Sequence, residues 1–421
     1  MGNWNTHATA LKRYSRREPE KTALYRIVSS CREELAYVWE EKFQQRFGAL
    51  RDEVSEALDA YLSCGILAHG CARAHCDQCK HSALIAFSCK RRCLCPSCDA
   101  KRSLLFAEKL VANTLTPYPH QHCVFTVPKR VRPYFKFDRK LLRLLYSAAW
   151  DAWKELIALE YPTGAPAAVL ALHTAGDLLT FHPHIHGLLL AGVLDPYGRF
   201  VPAAIDKDKL QERFARNVLQ ALLQKQLLSP EGVDNILGWP HSGFSVFIGD
   251  PILPSDSDRL LFVARYLKKC PVSNERISIL EQNGSTTVRY LSFKNGEKSC
   301  RDFEPLEFLA ELSQHIPNMW EQTTRFLGAY SSRTRGAKRA GAERSDVLTL
   351  PEPALKPSPT WARLIKKVFE IAPLACPRCG SQMKIKAFVT SPEEIHRLSR
   401  HLGLPTQNSP PKLRFNVPLA A

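Results

Sequence analysis

The chain has 421 residues, and its composition of 45% hydrophobic and 24% charged residues excludes wholesale disorder and allows two or three domains. Lys and Arg outnumber Asp and Glu by 58 to 41, and the net charge of +17 favours a polyanionic partner such as a nucleic acid. We find no apolar run long enough for a membrane-spanning helix and no secretory signal core, so we expect a cytoplasmic protein. In that compartment the 14 cysteines are better interpreted as metal ligands than as disulfides.

The first predicted elements are helices. Residues 20–63 carry apolar side chains three and four positions apart, which predicts a helical N-terminal segment over 1–63. A cysteine-rich module follows over 64–105. From 118 to 335 short apolar runs alternate with helical segments, which predicts an α+β domain whose sheet carries packed helices. The predicted strands are 122–128, 168–174, 185–193 and 243–248, and the predicted helices are 138–159 and 206–228.

Two Cys-x-x-Cys pairs stand in the cysteine-rich module. Cys76 and Cys79 form the first pair, and Cys95 and Cys98 form the second after 15 intervening residues. Because each short turn directs two thiolates toward one ion, the four cysteines are predicted to form one closed, structural zinc site. The alternative is a set of reduced, buried thiols without metal. Further thiolates that could substitute in this site or hold a second ion are Cys71, Cys89 and Cys93.

Three histidines alternate along a predicted strand. Alternate side chains of an extended chain share a face, so His182, His184 and His186 can all point the same way while the apolar run 188–193 continues the strand. Neutral imidazole is a natural ligand for a divalent ion at a site open to substrate. The alternative is a purely structural role in packing.

A helix over 257–269 carries the second chemical feature. Phe262, Tyr266 and Lys269 lie on one face of it. A tyrosine hydroxyl becomes a useful nucleophile when a cation nearby favours its deprotonation, and Lys269 supplies such a cation. The alternative is a half-buried tyrosine beside surface lysines.

Basic residues form two candidate DNA-backbone strips, with Tyr134, Phe135 and Tyr330 beside them as candidate partners for unpaired bases. The alternative for each strip is solvated surface charge. The residues of the two strips are Lys129, Arg130 and Arg132, and Arg333 and Arg335.

The C-terminal part is predicted to be a separate small region. A proline-rich linker over 336–359 precedes a region over 360–421 that begins with a helix and carries the pair Cys376 and Cys379. This pair supplies only two ligands, and His396 or His401 could complete a metal site with it.

The His-Pro-His-Ile-His sequence before an apolar strand and the Tyr-x-x-Lys helix resemble the HUH endonuclease superfamily. The chain is most similar to the rolling-circle insertion-sequence transposases of the ISCR type, in matches that run in the same order from about residue 60 to 405. The stretches that carry this resemblance are Phe87–Arg92 with Cys95–Cys98, Leu172–His186, His241–Ser245, Ala264–Tyr266, Phe303–Phe308, Tyr330–Gly336 and Pro373–Gly380.

The resemblance implies an HUH-type sheet with packed helices (RRM-like or palm-like) over 118–335, between an N-terminal helical and zinc-binding region and a C-terminal zinc-knuckle region. His184 and His186 would bind Mg²⁺ or Mn²⁺, with His182 favoured over His122 as the third ligand. Tyr266 would attack single-stranded DNA at the element's ends and form a 5′-phosphotyrosine. Lys269 would offset charge at the phosphate.

One departure from the family concerns the tyrosines. Family members with two catalytic tyrosines carry them four positions apart, whereas here the earlier position is Phe262. The chain therefore resembles the single-tyrosine type, which uses one nucleophile or a second protomer of a homodimer. Alternatives are a plasmid replication initiator or relaxase, a zinc-dependent DNA-binding protein without catalysis, and a zinc hydrolase, which lacks an obvious general base.

Overall fold

The computed structural model describes residues 18–239, 242–282, 284–294, 296–339 and 374–404. Within these ranges no helix has the length and apolar character needed to cross a membrane. The helices are α1 (Ala23–Lys42), α2 (Gln44–Phe47), α3 (Asp52–Leu62), α4 (Pro96–Asn113), α5 (Arg132–Phe137), α6 (Leu142–Glu160), α7 (Lys207–Gln224), α8 (Pro230–Leu237), α9 (Ser257–Tyr266), α10 (Pro305–Ser313), α11 (Ser332–Arg339) and α12 (Pro392–His401). The strands are β1 (Cys71–His75), β2 (Ser82–Ala86), β3 (His120–Thr126), β4 (Ala167–Ala175), β5 (Phe181–Leu190), β6 (Gly192–Leu194), β7 (Phe200–Pro202), β8 (Ser245–Ile248), β9 (Ile277–Gln282), β10 (Ser285–Lys294), β11 (Glu297–Phe303), β12 (Thr324–Gly328) and β13 (Lys384–Val389).

A five-stranded antiparallel sheet with the order β12–β4–β5–β3–β8 forms the centre of the structure. Strand β5 is the middle strand, and it is buried from Ile185 to Leu190. Helices cover both faces of the sheet, so the prediction of an α+β fold with helices packed on a sheet is confirmed.

The two faces of this sheet are packed by different helices. On one face Phe125, Leu170 and Ile185 contact the core formed with α6 and α7. On the other face Val169 and Leu188 pack with α4 and α9. Because side chains alternate along a strand, the even-numbered residues of β5 from His184 onward and the odd-numbered residues of β4 up to His173 point toward α9. This alternation decides which histidines can meet the tyrosine helix.

The N-terminal helices form a second core with α10 and the sheet β11–β10–β9. Helix α1 begins at a Thr22 cap, whose Oγ1 accepts a hydrogen bond from the N–H of Tyr25 at 3.3 Å. The predicted helical segment over 20–63 is divided into three helices. The first division occurs at Phe43 and the second at Gly48, whose positive φ of +78° favours glycine.

The C-terminal segment joins the cysteine-rich module rather than standing apart from it. Strand β13 pairs antiparallel with β1, with Val389 opposite Cys71, and β2 pairs along the other edge of β1. Helix α11 takes in the start of the predicted linker, because Ser331 caps it by accepting a hydrogen bond from the N–H of Thr334 at 3.2 Å. The rest of that linker and the helix predicted after it, up to residue 373, lie outside the described residues.

Candidate functional site

Three histidines from two neighbouring strands meet on the face that packs with α9. His173 of β4 stands directly opposite His184 of β5 in the antiparallel register, and His186 lies two residues further along β5. One ring nitrogen from each of the three lies within 4.8 Å of the others. This spacing places three imidazole nitrogens close enough together that they could bind one metal ion.

The predicted third ligand, His182, lies outside this group of three, although its ring centroid is 5.2 Å from that of His184 and its Nε2 is likewise buried without a hydrogen-bond partner in the described structure. The pairing of β4 with β5 shifts register between His173 and Ala175, so residue 182 does not continue the line of the other two β5 histidines. His173 takes its place. Sequence reasoning missed His173 because its proximity depends on strand register, and the one available indication was its position in the stretch 172–186 that carries the family resemblance.

Hydrogen bonds fix the orientation of two of these rings. His184 Nδ1 lies 2.6 Å from the carbonyl oxygen of His182, so Nδ1 carries the proton and Nε2 has a free lone pair. His186 Nδ1 lies 3.1 Å from His122 Nε2. His186 Nε2 is buried and has no hydrogen-bond partner within the described structure. An unsatisfied buried nitrogen costs about 1–3 kcal/mol, and ligation of a cation would satisfy it.

The histidines are held in the neutral form that binds metals. Burial lowers the pKa of His173 to about 3, and it also lowers the pKa of His184 and of His186 below their usual range. The cause is the removal of the imidazolium from water, to which positive neighbours add. Lone pairs are therefore available on all three rings at neutral pH.

Tyr266, the last residue of helix α9, packs against these rings. The ring centroid of Tyr266 lies 4.9 Å from that of His186 and 5.7 Å from that of His173. Lys269 Nζ lies 4.9 Å from the centroid of the Tyr266 ring. The helix ends at Tyr266, earlier than predicted, and a turn closed by the hydrogen bond from the Lys269 N–H to the Tyr266 carbonyl brings the ammonium back over the ring. The structure thus brings together His184, His186, Tyr266 and Lys269, as the sequence predicted.

Burial shifts the pKa values of Tyr266 and Lys269 in opposite directions. It raises the pKa of the Tyr266 hydroxyl, while the positive charge of Arg276 partly offsets the rise. It lowers the pKa of Lys269. Both shifts follow from the cost of burying a charge. These residues line a cavity of about 310 Å³ together with the three histidines and Asp177.

The cysteines form two groups of four, in an arrangement that differs from the predicted one. The buried cluster consists of Cys64, Cys89, Cys95 and Cys98, and the surface cluster of Cys76, Cys79, Cys376 and Cys379. The prediction that Cys76 and Cys79 share one site with Cys95 and Cys98 is therefore wrong. The first pair lies in the turn between β1 and β2, whereas the second begins α4, which leads away toward the central sheet.

Each cluster has the dimensions of a tetrahedral zinc–thiolate site. Four sulfurs at about 2.3 Å from one ion lie about 3.8 Å from each other. In the buried cluster the Sγ atoms of Cys64 and Cys89 lie 3.7 and 3.6 Å from that of Cys98. In the surface cluster Cys76 and Cys379 are 3.6 Å apart at sulfur. These separations are too long for disulfides, which need about 2.05 Å.

The two turns of the surface cluster have the same backbone pattern. The N–H of Cys76 donates to the His81 carbonyl, and the N–H of Cys376 donates to the Ser381 carbonyl, both at 2.8 Å. The fourth residue after the first cysteine has a left-handed φ in each turn, +59° at Lys80 and +77° at Gly380. Two equivalent knuckles therefore face each other.

Other predicted ligands lie elsewhere. Cys71 is buried in an apolar group with Val389, and Cys93 donates its N–H to Asp99 at 2.7 Å, outside both clusters. His396 is bonded to Arg400 on α12, and His401 belongs to neither cluster. Cys64, which completes the buried cluster, lies outside the Cys-x-x-Cys pairs and escaped prediction for that reason.

Of the five predicted DNA-contact residues, three are exposed, and two are half-buried and donate hydrogen bonds to backbone carbonyls. Lys129, Arg130 and Arg333 are exposed, and Arg130 also donates to Asn235 Oδ1 at 2.8 Å and lies 5.3 Å from the centroid of the Trp239 ring. Arg132 donates to the Val127 carbonyl at 3.3 Å, and Arg335 donates to the Tyr330 carbonyl at 3.0 Å. The predicted stacking partners Phe135 and Tyr330 are fully buried, because each packs in a core beside the central sheet, and the prediction for them is wrong.

Two family models match the chain. The model described as "Putative transposase" matches residues 167–338, which include the histidine–tyrosine site. The model described as "Transposase zinc-binding domain" matches residues 35–127, which include the buried cluster and the first pair of the surface cluster. Together they cover more than half of the chain and define its class, a DNA-processing transposase with a zinc-binding domain.

Relatives agree with this class. The transposase for insertion sequence element IS801 of Pseudomonas savastanoi pv. phaseolicola is 27% identical over 361 residues, which are 82% of this chain and 86% of that protein. "Putative transposase y4qJ" of Sinorhizobium fredii is 24% identical over 343 residues, 75% of this chain and 85% of that protein. The chain belongs to the IS91 family of rolling-circle transposases. No solved structure matches it significantly.

Proposed function

We propose that this transposase cuts and rejoins single-stranded DNA at the ends of its element by transesterification through Tyr266. The observation that carries the proposal is the placement of the Tyr266 ring 4.9 Å from His186, beside a group of three neutral histidines in one cavity. A nucleophile and a cation site thus lie within reach of a single phosphodiester. The fold of this domain is, in our proposal, the HUH type.

His173, His184 and His186 are the proposed ligands for one divalent ion, Mg²⁺ or Mn²⁺. The fit rests on the buried, unpartnered Nε2 of His186 and on the Nε2 of His184, which the bond at Nδ1 leaves deprotonated. When bound, such an ion supplies Lewis-acid polarisation of the scissile phosphate. His122 Nε2 is hydrogen-bonded to His186 Nδ1 at 3.1 Å, so His122 orients the His186 ring.

Tyr266 is the proposed nucleophile. Its hydroxyl gives its proton to solvent, and the oxygen forms a bond to phosphorus while the bond from phosphorus to the 3′-oxygen breaks. The leaving 3′-oxygen takes a proton from water, which leaves a 3′-hydroxyl and a 5′-phosphotyrosine. Lys269 stabilises the phenolate that burial disfavours, since its ammonium lies 4.9 Å from the ring. Attack by another 3′-hydroxyl reverses the step, and because one ester replaces another, no ATP is required.

Tyr266 is the single proposed nucleophile, because Tyr290, which also lines the cavity, donates its hydroxyl to the Pro271 carbonyl at 3.0 Å. Phe262, one helical turn before Tyr266 on α9, is 68% exposed and cannot act as a nucleophile. The strand-transfer cycle therefore uses Tyr266 twice or recruits a second copy of the chain in a homodimer. Exposed Lys129, Arg130 and Arg333 are the proposed contacts to the DNA backbone.

Each cysteine cluster is proposed to bind one structural zinc ion. In the buried cluster the backbone N–H groups of Cys89 and Arg91 donate to sulfur at 3.4 and 3.5 Å, which stabilises thiolate charge. Four cysteine ligands leave no open position for a substrate, so these sites hold structure and do not catalyse.

The test is covalent capture of DNA. Labelled single-stranded DNA from the element's end is incubated with the full chain and Mn²⁺ or Mg²⁺, and denaturing gels then detect a protein–DNA adduct. We expect a metal-dependent adduct that Tyr266→Phe and His184→Ala abolish and that Tyr37→Phe, at a distant exposed tyrosine, preserves. Binding of this DNA without any adduct would remove Tyr266 from the role given to it.

A further inference from the structure

A loop between α10 and β12 is held in place by three arginines. Arg92 donates to the carbonyl oxygens of Asn318, Met319 and Glu321 at 2.9, 3.1 and 2.6 Å. Arg139 forms a two-point ion pair with Glu321 at 2.8 and 3.0 Å. Arg51 donates to the Ile316 carbonyl, in the first part of the loop, at 2.9 Å. These bonds fix the backbone on both sides of the loop tip.

The tip of this fixed loop presents apolar side chains to solvent. Trp320 is 88% exposed and Met319 is 54% exposed. A large apolar side chain gains little from such a position in the isolated chain, because burial of a tryptophan is strongly favourable. Since the arginines hold the loop, the indole is presented in a defined place, which is how stacking platforms for unpaired bases are built.

Basic grooves flank the loop on both sides. One groove, of about 460 Å³, is lined by Lys140, Arg143 and Arg325, and the other, of about 640 Å³, by Arg92 and Lys268. The acidic residues on these walls are Glu53 and Glu321, and the second is neutralised by Arg139. The excess positive charge of the grooves is therefore complementary to the negative sugar–phosphate backbone of a nucleic acid.

The grooves adjoin the proposed active site. Glu321 and Arg139 line both the first groove and the histidine–tyrosine cavity, and Thr323 lines both that cavity and the second groove. Lys268 stands two residues after Tyr266 and donates to Thr323 at 3.1 Å. The loop therefore lies close to the cavity wall, within reach of a strand whose phosphate is bound at Tyr266.

We infer that Trp320 stacks on an unpaired base of the DNA strand leaving the cavity while Lys140, Arg143 and Arg325 bind its phosphates. Met319 packs beside the same base. This inference rests on the proposed function for the identity of the ligand, single-stranded DNA. A base of any sequence has a face on which an indole can stack, so the contact positions the strand without selecting its sequence.

The experiment measures binding in the absence of cleavage. Fluorescence anisotropy with a single-stranded oligothymidylate of roughly 20 nucleotides is recorded for the full chain carrying Tyr266→Phe. Adding Trp320→Ala weakens binding by roughly 5- to 150-fold, the range that loss of one stacked base produces. Trp320→Phe restores most of the affinity because the aromatic face remains. Tyr37→Ala, at a 90% exposed tyrosine on α1, is the matched control and leaves binding unchanged.

Two further measurements separate this contact from its alternatives. Arg143→Ala reduces the slope of log affinity against log salt concentration by about 0.7, the value for loss of one phosphate contact to single-stranded DNA. Unchanged affinity in Trp320→Ala would overturn the inference. A variant whose only change is its oligomeric state, measured by light scattering, would also overturn it, because the loop would then be an interface between copies of the chain. Failure of the proposed function would be visible separately, as absence of an adduct with Tyr266 intact while binding still depends on Trp320.

Discussion

The buried and surface cysteine clusters each consist of four cysteines with similar sulfur separations, yet the segments that they join lie at very different distances along the chain. The buried cluster takes its ligands from residues 64 to 98, and it ties the start of α4 to the core of the N-terminal helices. The surface cluster joins pairs that stand 303 and 297 residues apart, and it fastens the C-terminal segment to β1 and β2. One cluster therefore completes a local core, and the other closes a long loop of chain.

The largest effect is expected from Cys98→Ser in the buried cluster. A structural zinc contributes about 10–16 kcal/mol of apparent binding energy in small zinc domains, which is comparable to the whole stability of a typical domain. Loss of one buried ligand should therefore remove that zinc and unfold the N-terminal helices with it. Zinc content and thermal unfolding measure this. A variant that keeps both ions and melts like the parent would contradict a zinc role for this cluster.

A smaller and more local effect is expected from Cys379→Ser in the surface cluster. Zinc content should fall from two ions per chain to one, and residues 374–404 should become sensitive to protease while the rest of the chain melts unchanged. Cys300→Ser, at an exposed cysteine outside both clusters, is the matched control. Equal protease resistance in the two variants would show that β13 stays docked without metal.

Zinc release by a chelator should occur in two phases. Cys379 is exposed and Cys79 half-buried, whereas three of the four sulfurs of the buried cluster belong to buried residues. A chelator therefore reaches the surface cluster first. A colorimetric zinc assay with EDTA follows the two phases, and in Cys379→Ser the fast phase should disappear. Loss of the slow phase instead would reverse the order assigned to the two sites.

The smallest effect concerns the ion pairs beside the surface cluster. Lys384 and Lys386 lie 2.9 and 3.4 Å from the Asp77 carboxylate and hold its pKa below the usual range. A lowered carboxyl pKa means that this stabilisation is present above the ordinary pKa and is lost as the pH falls through the lowered one. Asp77→Asn should slightly increase protease cleavage of β13 at neutral pH, and the difference from the parent should vanish in acid. A difference that grows as the pH falls would contradict this sign.

The local parts of the site were predictable from sequence. Strand alternation placed His184 and His186 on one face, and helical spacing placed Tyr266 near Lys269, since both depend on a few neighbouring residues. The missed ligands depend on contacts between distant segments. His173 reaches the site through the register of β4 on β5, and Cys64 reaches the buried cluster through the packing of the N-terminal helices.

The pairing of cysteines failed for a related reason. Spacing alone favours joining Cys76 and Cys79 to the nearest pair along the chain, at Cys95 and Cys98. The pair at Cys376 and Cys379 has the same knuckle sequence but returns from the far end of the chain. Only the pairing of β13 with β1 decides between these partners, and no periodicity in the sequence encodes it.

The position of β1 between β2 and β13 has a consequence for shortened copies of the protein. A product ending before Cys376 would leave one side of β1 with open backbone hydrogen-bonding groups, next to the unpaired thiolates of Cys76 and Cys79. An open strand edge is a template for pairing with another chain. Truncated copies of the element would therefore produce chains that associate with one another through the edge that β13 normally covers.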